Sequence, residues 1–296
     1  MNLSLKNEIR RCRPLLGTFV EISVKHDDVS HARKAIDAAF AAIERVHKLM
    51  SFHDPKSEVS QLNRLAMKQP VSVSFATYQV LKCARELFEF SDGAFDVTVA
   101  SELVDWKLLP RHEFFGRQKN YCGRTSDIAL LPDGMVRFLR KLCIDLGGIA
   151  KGFAVDKAIE ALQQNGIEDG LVNAGGDLRC FGDQEFPVLV RHPKIPGRLL
   201  PLPSLKNSAL ATSANSWDGE NLDEQICVHV HGGTRNPLRR LFSVSVNADS
   251  CMMADALTKV VLALEQKSAT ILAKFNATAF IVYPDNRMLC FEGKKT

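Results

Sequence analysis

Nowhere does this 296-residue chain carry an apolar run near the roughly 18 residues that a membrane span requires. Its start, MNLSLKNEIRRCRPLLGTF, has no basic opening followed by a long apolar stretch. No secretory signal is read there, and the cytoplasm is the expected setting. The eight cysteines, at 12, 83, 122, 143, 180, 227, 251 and 290, never form a C-x-x-C pair. That excludes zinc-finger spacing and gives no sign of a disulfide framework; most are expected to be small buried apolar residues in a reducing compartment. Formal net charge is only +4, and the basic residues are scattered apart from Arg10, Arg11 and Arg13. So mild a balance does not point to nucleic acid. A Walker loop is missing as well, because no glycine-rich turn has the required spacing and Lys-Ser/Thr pair.

What is present is ordinary globular material, 46% hydrophobic and 24% charged. The chain is long enough for one large domain, 1–296, or two intimately packed halves. GTFVEISV (17–24) is rich in β-branched residues and predicts a strand. Ser30 is placed to cap a following helix, in which Ile36, Phe40, Ile43, Val46 and Met50 recur at helical spacing. The polar stretch 50–63 reads as a loop into a short helix, and Thr77 to Phe90 as a second amphipathic helix stopped by SDG (91–93). Pro132-Asp133-Gly134 turns a hairpin within 127–139, and LCIDL (142–146) predicts a strand. From Ile149 the period becomes helical through Val155, Ala158, Ile159 and Leu162 until Asn165-Gly166. LVNAGGDLRCFG (171–182) reads as a strand interrupted by two glycines, and 252–264 as a helix. Strands and helices mix without βαβ regularity, so the expected class is α+β.

The segment DLGGIAKGFAVD (145–156) gathers chemistry at that junction. Glycines at a helix start let backbone N–H groups approach an anion, where the helix dipole also favours negative charge. Lys151, one turn on, could neutralise a phosphate, and Asp145 could bind a ribose hydroxyl or an adenine amine. A tight turn and nothing more is the plain alternative.

Seven segments change that balance: RPLLGTFVEI, MSFHDPKSEVSQLN, GAFDVTVA, IDLGGIAKGFAVDKA, LVNAGGDLRCFG, ALATSA and ADALTKVVLAL. Their order resembles that of the ApbE family, the FAD:protein FMN transferases, from about Arg13 to Leu264. The resemblance implies an α+β fold around a cleft that holds FAD and Mg²⁺. It implies transfer of FMN to a threonine hydroxyl of an acceptor flavoprotein, with release of AMP. Leu16 stands at the family's Met before Gly-Thr, a flavin contact, and His53 where a Tyr usually lies beside the ring system. Ala94, Phe95 and Asp96 match the flavin-binding AFD triplet. Asp145 and Lys151 match the FAD-contacting acid and the pyrophosphate-side residue, with Lys151 assisting charge neutralisation in catalysis. Gly148, through its carbonyl, and Asp255 match the metal ligands. His229 aligns with a candidate general base, and His231 is an alternative.

This chain also departs from the pattern. The metal motif is usually Asp-Ala-Leu-x-Thr, whereas DALTK places Lys259 at the Thr position and Thr258 one residue earlier. One step along a helix turns a side chain by about 100°, so Thr258 does not replace it. Protonated, an ammonium only donates and cannot ligate a metal. Either the metal site is weakened or Lys259, four residues from Asp255 on one helix face, assumes part of the ion's charge. TSA (212–214) replaces TSG, and HVHGGTRNP (229–237) replaces HIIDPRTG. Alternatives to FMN transfer are hydrolysis of FAD to FMN and AMP, or flavin binding without chemistry. Plainer roles also stand: Asp255 as a helix-capping charge, Asp96 as a cap, Gly175-Gly176 as a bulge, and Phe95 as core.

Overall fold

Arg10, Arg11 and Arg13 lie on a strand that the apolar pattern does not announce. In the computed structural model, which describes residues 7–115, 121–195, 197–214 and 229–293, β1 (Asn7–Leu15) pairs antiparallel with β2 (Thr18–His26). The arginines are matched within the fold: Arg10 to Glu21, and Arg11 and Arg13 to Asp37 on α1 (Val29–Met50) at 2.8 and 2.6 Å. The Arg13 guanidinium also sits 4.5 Å from the Phe40 ring centroid. α1 is capped by Asp28 rather than Ser30. The Asp28 carboxylate accepts the Ser30 and His31 amides at 2.8 and 3.0 Å, reach that a residue already inside the first turn lacks.

α2 (Glu58–Leu65) and α3 (Phe75–Phe90) begin on Ser57 and Ser74, each accepting an amide three residues on. They pack beside a small sheet in the order β3-β5-β4, made of β3 (Val71–Ser72), β4 (Ile128–Leu130) and β5 (Met135–Phe138). The expected hairpin within 127–139 is β4–β5. A short helix, α4 (Ala100–Asp105), lies between α3 and β4 in sequence. LCIDL does not become a strand. The Asn63 side chain takes the place of a neighbouring strand, accepting from the Ile144 N–H at 2.8 Å and donating to the Ile144 carbonyl at 2.9 Å.

Helix α5 (Ala150–Gln164) leads to β6 (Gly170–Ala174) and β7 (Asp177–Phe181). The interrupted strand is therefore a hairpin, with Gly175 and Gly176 at φ 67° and 102° supplying the two-residue turn. β8 (Phe186–Arg191) pairs with β9 (Leu199–Leu205); then come β10 (Ala209–Ser213), β11 (Ser243–Ala248), α6 (Cys251–Leu264), α7 (Ala269–Lys274), β12 (Thr278–Val282) and β13 (Met288–Glu292). The large sheet runs β1-β2-β6-β7-β10-β11-β12-β13, with every neighbour antiparallel. Alternation sorts its side chains: Ala209, Ala211, Ala279 and Ile281 face the main core with α1, α5 and α6, while Leu210, Phe280 and Val282 face the β8–β9 hairpin. The α+β expectation holds, built from helices on one face of an antiparallel sheet.

Two carboxylates lock α5 to α6. Asp255 of α6 accepts the Gly152 N–H near the start of α5 at 3.1 Å, and Asp156 of α5 accepts the Cys251 and Met252 N–H groups that open α6, both at 2.9 Å. Each helix thus satisfies amides that its partner's first turn leaves without an intrahelical acceptor. Gly152 permits the approach, since a Cβ there would stand 2.1 Å from the Cys251 carbonyl oxygen. Gly152→Ala should therefore destabilise the protein by about 1–3 kcal/mol through overpacking. Denaturant unfolding of both proteins measures this, and an unchanged midpoint would show that the helices separate without cost.

Candidate functional site

The glycine junction forms a wall shared by two cavities, of about 430 and 540 Å³. Asp145, Gly147, Lys151 and Leu109 line both. Ala94, Phe95 and Asp96 line the first cavity, together with Gly148, His229 and Lys259. Leu16 and His53 line the second, with the apolar Val46, Met50 and Phe52. The structure thus gathers nine of the ten sequence-nominated residues around this pair of compartments. The tenth, Asp255, has no exposed surface and lies behind the wall.

Each lining residue has an identifiable support. Leu16 occupies the β1–β2 turn at φ 55°, followed by Gly17 at φ 72°. A left-handed leucine costs on the order of 1 kcal/mol, held here by the flanking strand register. Asp145 is fixed by its own N–H donating to the Val97 carbonyl at 2.8 Å, and its carboxylate accepts the Gly147 N–H at 3.0 Å. Burial raises the Asp145 pKa, opposed by the Gly147 N–H and by His53. His53 itself is exposed at the mouth of the second cavity.

Asp96 is consumed by the scaffold. One carboxylate oxygen accepts the Thr98 N–H at 2.9 Å and the Thr98 and Thr125 hydroxyls at 2.7 Å; the other accepts Arg235 at 3.0 Å. Arg124 donates to the Gly232 carbonyl and, at 3.1 Å, to that of Gly233, while the Gly232 N–H donates to the Ala94 carbonyl at 3.1 Å. These bonds dock segment 229–237 on the 94–98 loop and set His229 at the first cavity. Arg235, which sequence reasoning missed, is the clamp. The alternative histidine is placed differently: His231 Nδ1 accepts the Gly233 and Thr234 N–H groups of its own turn, at 3.1 and 3.3 Å, and does not line either cavity.

At the shared wall two lysines face two carboxylates buried behind it. Lys151 pairs with Asp177, which sequence reasoning also missed, and Lys259 pairs with Asp255. Burial works against the Lys151 charge, but Asp255 and Asp177 outweigh it and raise its pKa. Burial and the nearby Asp255 push the Asp177 carboxyl up, whereas Lys259 and Lys151 overcome burial and hold Asp255 below the ordinary carboxylate range. Burial, reinforced by Lys259, drives the His229 imidazole down to about 3, so it is neutral at pH 7.

Gly148 and Asp255 do not compose a magnesium site here. Mg²⁺ asks for an octahedron of oxygens, but one Asp255 carboxylate oxygen is taken by the Lys259 ammonium and the other by the Gly152 N–H. The Asp255 backbone carbonyl accepts both Lys259, at 3.0 Å, and the Thr258 hydroxyl, at 2.7 Å. Thr258 is turned away, bonded at 2.7 Å to Ser213. Among the described residues no cluster of three or more His, Cys, Asp or Glu is arranged for a metal.

A model of the ApbE family matches residues 16–282. The FAD:protein FMN transferase of Vibrio cholerae is 26% identical, with 89% of this chain and 83% of that protein aligned. The enzyme of the same name from Chlamydia trachomatis is 28% identical, over 89% of this chain and 85% of its own. Among solved structures, the ApbE protein of Thermotoga maritima superimposes with a TM-score of 0.79 at 25% identity, covering 98% of this chain and all of that one. The flavin transferase ApbE from Vibrio cholerae gives 0.80 at 24% identity, over 97% of each chain.

The depressed His229 pKa has a signed consequence. Between the ordinary imidazole value of 6.5 and about 3, the unfolded chain binds a proton that the folded one refuses. This contribution is complete above pH 6.5 and is lost as pH falls toward 3. Relative to pH 7, the wild type at pH 5 should lose about 2 kcal/mol more stability than His229→Gln. Guanidinium midpoints at both pH values measure it, and equal losses would show a solvated imidazole.

Proposed function

We propose, from the premise that this chain belongs to the ApbE family, that it transfers FMN from FAD to a threonine hydroxyl of an acceptor protein and releases AMP. The observation that carries the reading is the pair of adjoining cavities joined at the glycine junction, each within the size range of small-molecule sites. FAD has that form, two ring-bearing ends joined by a pyrophosphate. The diphosphate fits at the junction, where Lys151, Lys259 and the start of α5 supply positive potential. Leu16, Met50 and Phe52 offer an apolar wall to a flat ring on one side, and Phe95, Ala94 and Leu109 on the other. Asp145 at the shared wall accepts from a ribose hydroxyl or a ring amine. His53, exposed at the rim, covers a ring edge less completely than the tyrosine common in the family.

In the reaction, the acceptor oxygen forms a new bond to the FMN-side phosphorus. The bond from that phosphorus to the bridging oxygen breaks, and AMP departs with the electron pair. His229, held neutral, takes the hydroxyl proton; the negative charge of a bound pyrophosphate raises its basicity from the depressed value of the ligand-free protein. Lys151 and Lys259 offset the charge that grows on the phosphoryl oxygens. Because the residues do not fit magnesium, no step is assigned to a metal. The same reading treats residues 1–296 as one functional unit, since a single hydrophobic cluster joins elements from Val20 to Ile281. It places the enzyme in the cytoplasm, in keeping with the free thiols: Cys83, Cys143, Cys180 and Cys251 are buried, Cys12, Cys122 and Cys290 exposed, and Cys227 lies outside the described residues. Among the described residues no helix is long and apolar enough to cross a membrane.

Purified protein incubated with FAD and a threonine-bearing acceptor should yield AMP and protein-bound flavin fluorescence in equal amounts. Free FMN in place of bound flavin would make it a hydrolase, and retained FAD without turnover a binding protein. Lys151→Gln should weaken FAD about tenfold or more, from loss of a charge-assisted contact, and FMN much less. Equal losses would remove Lys151 from the pyrophosphate. His229→Ala should slow transfer by about 10²–10⁴-fold with FAD affinity nearly unchanged; unaltered turnover would exclude the imidazole as base.

A further inference from the structure

We propose that Lys259 is a built-in cation, its ammonium standing where the family's pattern places a metal ion, and that this protein binds the FAD pyrophosphate without a divalent metal. The inference rests on the flavin reading above and adds what neutralises the diphosphate. Its first support is position. The Lys259 ammonium donates to the Asp255 carboxylate and, at 3.0 Å, to the Asp255 carbonyl. Its side chain runs beside Gly148, where an added Cβ would lie 3.5 Å from Lys259 Cε. Lys259 therefore joins the two residues whose oxygens the family pattern assigns to the metal.

The second support is charge. Lys151, Lys259, Asp177 and Asp255 form a neutral quartet, and both carboxylates are essentially without exposed surface. A dication entering that quartet would meet no uncompensated carboxylate. It would have to displace an ammonium from a fully buried partner, which carries a heavy desolvation penalty. The third support is access. Lys259 lines the first cavity with its side chain 17% exposed, and among the described residues two acceptors occupy it, leaving one of the three ammonium donors for a ligand. An incoming diphosphate meets a fixed positive charge already anchored on the protein.

The test uses the full chain and FAD, with binding rather than turnover as the readout. FAD is titrated calorimetrically in EDTA and again in millimolar Mg²⁺, and Mn²⁺ bound to the protein–FAD complex is counted by electron paramagnetic resonance. The wild type should show the same FAD Kd within about twofold in both media and no stoichiometric Mn²⁺. Lys259→Thr, which opens one Asp255 oxygen and supplies a hydroxyl, should bind FAD about tenfold or more weakly in EDTA, recover with Mg²⁺, and take up one Mn²⁺. A wild-type Kd improved tenfold by Mg²⁺, one Mn²⁺ per wild-type complex, or variant curves superimposable on the wild type would overturn the inference. If circular dichroism shows the variant unfolded, the wild-type arm decides alone. Failure to bind FAD in either medium overturns the flavin reading together with this inference, whereas metal-dependent binding overturns this inference alone.

Discussion

The buried carboxylate of Asp255 is the point on which the site's geometry turns. Fully buried and ionised, it requires compensation on every side, and it receives the Gly152 N–H from α5 and the Lys259 ammonium from its own helix. Asp156 returns the arrangement, accepting the amides that open α6 and an Arg179 hydrogen bond of 2.7 Å from β7. The two helix starts are thereby fixed against one another and against the sheet. Glycine at 152 is the steric condition for this, and the junction at 145–151 inherits its position from it.

Function follows from how charge is distributed around that lock. Lys151 extends from α5 to Asp177 beside the β6–β7 turn, so one lysine spans helix and sheet while lining both cavities. Lys259, on α6, pairs instead within its own helix, with Asp255, and lines the first cavity. The ligand-free quartet is neutral, yet its ammonium groups reach the cavities while its carboxylates lie behind them. The ligand therefore meets a positive surface on a balanced foundation. The Asp96–Arg235–Arg124 network is separate in origin but serves the same place, clamping the 229–237 segment so that a neutral His229 borders the first cavity.

Much of this was legible in the residues themselves. Helical spacing marked α1, α3 and α5, 252–264 read as the helix α6, and the glycine junction with Lys151 marked the meeting of the two cavities. Lys259 was placed beside Asp255 by the geometry of four residues on a helix, and the structure puts them in contact. β1 escaped because NEIRRCRPL presents charged residues whose partners, Glu21 and Asp37, are distant in sequence. LCIDL looked like a strand because a strand's apolar pattern does not reveal that Asn63 supplies the backbone partner. Asp96 read as a ligand, and its four close donors among the described residues became visible only with the fold. Asp177 and Arg235 had no local signal. Their roles depend on elements brought together from 26 and 139 positions away.

The most direct measurement of the central claim is a crystal structure of the protein with FAD. The account predicts both phosphates at Gly147 and Gly148, within hydrogen-bond distance of the Lys151 and Lys259 ammonium groups, with the ends of the dinucleotide in the two cavities and Lys259 still on Asp255. A diphosphate lying away from both lysines would contradict it. So would a metal ion between Gly148 and Asp255 with the Lys259 side chain displaced.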